Sequence, residues 1–135
     1  MKLGIEKNVI WIPKMKMKEI KLILEKIHIV FGEFYSIKNI NLGSTGYESL
    51  SLGKPLINSF RFNKSYYKNT FGHEVPPILI ANSKKSIYLI LLKIINNQIK
   101  LSIISNKSHR WFIDNCGIKL ASQWNKSINE NLKRN

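Results

Sequence analysis

The sequence predicts an α/β fold, a parallel sheet of about four strands with flanking helices and a helical carboxy-terminus. Three observations carry that expectation. β-branched and aromatic runs alternate with segments of helical period through the first two-thirds of the chain, as expected of strands joined by helical crossovers. A glycine-containing segment, GSTGYESLSLGKPLI (Gly43 to Ile57), reads as a turn opening a short helix that stops at Gly53, with Pro55 leading into a strand. No internal repeat or low-complexity tract interrupts the 135 residues, which are enough for one domain that buries roughly two-thirds of its unfolded surface.

Taken in order, Asn8 to Ile12 (NVIWI) reads as a first strand ended by Pro13. Between Lys16 and Ile27 the apolar residues Ile20, Ile23, Leu24 and Ile27 share one helical face. His28 to Phe34 (HIVFGEF) reads as a second strand, and a polar loop from Tyr35 to Leu42 follows. After the glycine-opened helix, Pro55 to Phe60 forms a third strand. Arg61 to Pro77 shows no clear period and reads as a long loop, a length that usually carries function in a compact domain. Ile78 to Ala81 is the fourth strand. Ser83 caps a helix reaching about Asn97, with Ile87, Ile90, Leu91 and Ile94 on one face. Further helices are expected at Ile99 to Cys116 and near Ile118 to Leu132, so the α/β part spans 8–97 and the helical part 98–132.

The net charge of +14 admits nucleic acid, an anionic membrane or small anions as partners. Its make-up argues against nucleic acid, because nearly all the cations are lysines and the arginines are Arg61, Arg110 and Arg134. Cys116 is the sole cysteine, which excludes an intrachain disulfide and fits a reducing cytoplasm. The apolar run Ile87 to Leu92 is far too short to span a bilayer, and no signal peptide is visible after Lys2. His73, Glu74 and His109 have no metal-binding spacing, so no metal is expected. Lys14, Lys16, Lys18 and Lys21 cluster at the start of the first helix, a solvated face or a peripheral contact with anionic lipid.

The opening of the glycine segment carries the chemistry. Free N–H groups at a helix start favour an anion, and Glu48, one turn on, has the reach to meet a hydroxyl of the same ligand. Phosphate plus sugar hydroxyls describe a nucleotide. Thr45 to Glu48 is also T-x-x-E, a capping box, and the two readings compete for one carboxylate. Gly46 inside the helix implies that something approaches the backbone closely.

HIVFGEF, GSTGYESLSLGKPLI, VPPILIANS and SHRWFIDNCGIKLASQW, in this order, resemble the carboxy-terminal half of GT-B-fold glycosyltransferases, from Leu3 to about Leu132. The resemblance implies a Rossmann-like, partial donor-binding domain, with Gly43, Ser44, Thr45 and Gly46 against the diphosphate of a nucleotide sugar and Glu48 at the ribose. It implies transfer of the sugar to a glycan, lipid or protein acceptor, without a metal or other cofactor, in the cytoplasm or peripherally at the inner membrane face.

Two departures stand out. Ile40 occupies the position of the first glutamate of retaining members, with Glu33 the one nearby acid to replace it or else a strand-end solvent charge. His28 stands where an Asp is usual. The family's upstream basic pair would precede Met1. Its first two strands, which would sit in the sheet between Asn8–Ile12 and His28–Phe34, are missing and would leave a gap in the core. This implies an inactive fragment or a subunit completed by an amino-terminal half in the same or another chain. A nucleotide-sugar epimerase of the UDP-N-acetylglucosamine 2-epimerase kind is the rival within the fold. A small basic nucleic-acid-binding protein is the rival outside it. The stretch Phe60 to Asn69 interleaves aromatics with Arg61, Lys64 and Lys68 and reads as a solvated loop at an acceptor cleft, with Tyr66 and Tyr67 available to a sugar ring.

Overall fold

The computed structural model describes residues 4–34 and 42–132. Helix α1 (Met17–Lys26) leads to strand β1 (Val30–Phe31), helix α2 (Gly43–Ser51), strand β2 (Leu56–Asn58), helix α3 (Lys64–Phe71) and strand β3 (Leu79–Ile80). Helices α4 (Lys84–Ile95), α5 (Leu101–Asn115) and α6 (Ile118–Leu132) complete the chain. The strands form one parallel sheet in the order β1-β2-β3, with Val30 opposite Leu56 and Ile57 opposite Leu79. β2 is central and buried on both faces, as a strand between crossover helices must be.

Three strands are present among the described residues instead of about four. Asn8 to Ile12 forms no strand: a short turn of 3₁₀ helix covers Glu6–Asn8, and Ile10 and Trp11 are 85% and 90% exposed. Its β-branched composition is the right kind for a strand, but among the described residues it pairs with no other strand. With Asn8 to Ile12 outside the sheet, the three described strands β1-β2-β3 are contiguous. Arg61 to Pro77 is also not a plain loop. Asn63 caps α3 by accepting hydrogen bonds from the Ser65 and Tyr66 amides, and Gly72 ends it in the left-handed conformation. The helices expected after Lys16, Ser83, Ile99 and Ile118 are all present. Ser83 caps α4 by accepting from the Ser86 amide.

The core joins Leu24 of α1, Val30, Leu42, Leu50 of α2 and Leu56 of β2, flanked by Trp111 and Phe112 of α5. α2 ends in a Schellman motif: Lys54 N–H donates to the Ser49 carbonyl (2.7 Å) and Gly53 N–H to that of Leu50 (3.1 Å). α5 then packs on this end. His109 Nδ1 donates to the Ser51 carbonyl (2.8 Å) and Ser105 Oγ to that of Gly53. Buried Ser108 Oγ donates to the Pro77 carbonyl (3.3 Å) and Trp111 Nε1 to that of Glu74 (2.9 Å). The basic-aromatic stretch SHRW is therefore a set of anchors, with Arg110 exposed.

Gly53 and Gly72 both have positive φ (63° and 73°), but their surroundings differ. A Cβ on Gly72 meets nothing within 4 Å, whereas one on Gly53 would lie 3.3 Å from His109 and Ser105. Gly72→Ala should cost about 1 kcal/mol of stability from backbone strain alone. Gly53→Ala should cost about 2 kcal/mol or more, because it also pushes α5 off α2. Urea unfolding of the two variants measures the difference.

Candidate functional site

In an open parallel sheet, ligands bind at the carboxyl ends of the strands, where the connecting turns meet helix N-termini. In this chain that edge is built by side-chain amides. β1 ends at Phe31, and the Gly32 N–H still donates to the Ile57 carbonyl (2.9 Å). The next amide, Glu33 N–H, donates to Asn58 Oδ1 instead (2.6 Å), while Asn58 Nδ2 donates to the Ser59 carbonyl (2.8 Å). Ser59 returns two bonds to the Glu33 carbonyl, from its N–H (3.0 Å) and its Oγ (2.9 Å). Asn58 is buried and lies over Gly32, where a Cβ would collide with its Oδ1. Asn82 does the same between β2 and β3: its Oδ1 accepts from Phe60 N–H (2.9 Å) and its Nδ2 donates to the Phe60 carbonyl (3.0 Å). Arg61 donates to the Asn82 carbonyl from outside (2.8 Å).

The start of α2 faces this edge. Gly43 has φ of 65°, and a Cβ on it would lie 2.5 Å from Glu33 Oε1. The Glu33 carboxylate thus sits against the first turn of α2, where the helix dipole favours negative charge. Glu33 is half-buried and held at its backbone by Asn58 and Ser59, so it is no solvent charge at a strand end. Ser44 and Thr45 are exposed beside it.

Gly46 and Glu48 occupy other surroundings. Gly46 is buried, and a Cβ there would lie 2.6 Å from Leu42 Cβ and 3.4 Å from Leu56. The close approach that this glycine permits is the chain's own packing. Glu48 lies five residues beyond Gly43, about 140° round the helix. It lines a hollow of about 170 Å³ with Met17, Lys21, Leu24, Ser51 and Leu52, on the α1 side. The Thr45–Glu48 capping box does not form. α2 starts at Gly43, its N-cap Leu42 has no side-chain cap bond, and the Thr45 carbonyl accepts from Ser49 Oγ (2.7 Å). Ile40 lies outside the described residues.

An aromatic chain links α3 to α5. Tyr67 packs against Phe60 (5.7 Å between ring centroids), Phe71 (4.7 Å) and His73 (5.6 Å), and His73 against Trp111 (5.0 Å). Tyr67 is core and offers no platform to a sugar; Tyr66 is exposed and stacks on Phe62 (5.9 Å). A wider hollow of about 760 Å³ lies between Tyr47, Phe71, Phe112, Cys116 and Trp124. Burial pushes the Cys116 thiol up, the opposite of what a nucleophile needs. Among the described residues no three His, Cys, Asp or Glu side chains cluster as metal ligands.

Burial also raises Tyr67 above its ordinary value of 10.0, with smaller contributions from Tyr47 and Cys116. The folded state then keeps this proton while the unfolded chain loses it. The stabilisation is complete below the ordinary value and is lost as pH rises past it. Urea unfolding between about pH 9 and pH 11 should show this decline, and Tyr67→Phe should flatten it.

The chain has no significant match to a protein-family model, to a curated protein or to a solved structure.

Proposed function

We propose that this chain is the nucleotide-sugar donor-binding part of a GT-B-type glycosyltransferase, a Rossmann-like unit that acts together with an amino-terminal acceptor-binding half. The observation that carries the reading is the position of the glycine-opened start of α2 at the carboxyl edge of a parallel β-α-β-α-β unit. Amides of a helix's first turn are preorganised donors for a diphosphate leaving group and stabilise its departure without a metal. Gly43, Ser44 and Thr45 would cradle the diphosphate. Gly46 would act indirectly, by letting α2 sit close enough to Leu42 and Leu56 to hold that turn in place. Glu48 would take a ribose hydroxyl from the hollow it shares with Met17 and Lys21.

Glu33 gives the reading its sharpest consequence. Its carboxylate lies against the same first turn, so a diphosphate must displace it or share the turn with a like charge. Glu33→Gln should therefore tighten binding of a nucleoside diphosphate about two- to fivefold. Glu48→Ala should weaken it about fivefold or more through loss of a charged hydrogen bond. Calorimetric titration of the purified chain with nucleoside diphosphates, with a single-stranded oligonucleotide as control, measures both. Absence of saturable diphosphate binding, or affinities unchanged in both variants, would remove the proposal. Steeply salt-dependent binding of the oligonucleotide alone would favour the nucleic-acid reading instead.

A further inference from the structure

The stretch that forms no strand has another use. Ile10, Trp11 and Ile12 are 85%, 90% and 53% exposed, in an extended segment that crosses toward α1. Ile12, Pro13 and Met15 line a hollow of about 320 Å³ together with Ile20, Ile23 and Leu24 of α1, and Trp11 lies outside it. Met17 and Leu22 of α1 are also exposed, at 63% and 59%. Lys7, Lys14 and Lys16 flank this segment in sequence, Lys18 and Lys21 follow on α1, and all five are exposed. The one acid within that stretch, Glu19, turns back to accept a hydrogen bond from the Lys16 amide at its own helix start (2.7 Å). Among the described residues none of these five lysines forms an ion pair.

An exposed Trp between two isoleucines, with exposed lysines before and after it in the sequence, matches the two-layered chemistry of an anionic bilayer surface. Indole rings settle at the headgroup level, aliphatic side chains enter the acyl boundary, and lysines meet acidic lipid. Nucleic acid would use the lysines but has no place for Ile10 and Ile12. We infer that residues 7–22 form a peripheral attachment surface for anionic lipid, with Trp11 as its inserting group. No helix of the described residues is long and apolar enough to cross a membrane. This surface does not depend on the donor-binding reading, and the two fail separately.

The test is co-sedimentation of the full chain with phosphatidylcholine vesicles, with and without about one-third phosphatidylglycerol. Binding to the acidic vesicles only, weakened by salt, is expected. Lys14→Glu combined with Lys16→Glu should reduce it more than about tenfold. Trp11→Ala should reduce it about fivefold or more. Quenching of tryptophan fluorescence by brominated acyl chains should disappear in Trp11→Phe. Equal binding by Trp11→Ala, or no binding to acidic vesicles, would overturn the inference. So would unchanged vesicle binding by Trp11→Ala accompanied by a shift from dimer to monomer in light scattering, which would make the segment a self-association surface.

Discussion

The hydrogen bond from the Glu33 amide to the buried Asn58 side chain is the contact on which the carboxyl edge of this sheet depends. The strands are only two or three residues long, and ladders of that length hold few backbone bonds. Asn58 extends the β1–β2 pairing by one step with its amide, and Asn82 does so between β2 and β3. The cost is a polar side chain in the core, tolerable because its Oδ1 and Nδ2 are both satisfied. Gly32 is the steric condition for this arrangement, since any side chain there would expel the amide. Ser59 then holds the Glu33 carbonyl twice, and the Glu33 carboxylate lies at Gly43.

The far end of α2 is held just as specifically. Gly53 turns the chain, and His109 and Ser105 of α5 accept the role of capping its last carbonyls. α2 is thereby pinned between an acid at its first turn and a histidine and serine at its last, an arrangement that follows the direction of the helix dipole. Ser108 and Trp111 extend the same helix to the Pro77 and Glu74 carbonyls, and His73 and Tyr67 close the link to α3. The result is a small parallel sheet whose weak ladders are supported by side-chain hydrogen bonds from outside it.

Much of this was legible in the sequence where the deciding physics is local. Ile20, Ile23, Leu24 and Ile27 gave away α1, and Ser83 and Gly53 marked helix ends by their own backbone chemistry. α3 carries the same kind of signals, an Asn63 cap, the Tyr67–Phe71 spacing and a terminal Gly72, but its eight residues are too few to show a clear helical period in the sequence. What was not legible is non-local. NVIWI has strand composition but no partner strand among the described residues. Gly46 reads as a ligand contact until Leu42 and Leu56 are placed against it. Glu33 and Gly43 are ten residues apart, and only the fold brings them together. That contact changes the candidate site most, because it puts the chain's own anion at the turn proposed for a diphosphate.

The account stands on Asn58 fixing Glu33, and amide hydrogen exchange at Glu33 tests that most directly. In the native chain the Glu33 amide should exchange slowly, close to Ile57 in the same sheet. In Asn58→Ala it should exchange about tenfold faster or more, while Val30, which donates to the Pro55 carbonyl, keeps its protection and reports that the sheet is intact. A Glu33 amide that exchanges freely in the native chain, or that stays equally protected in Asn58→Ala, would contradict the account.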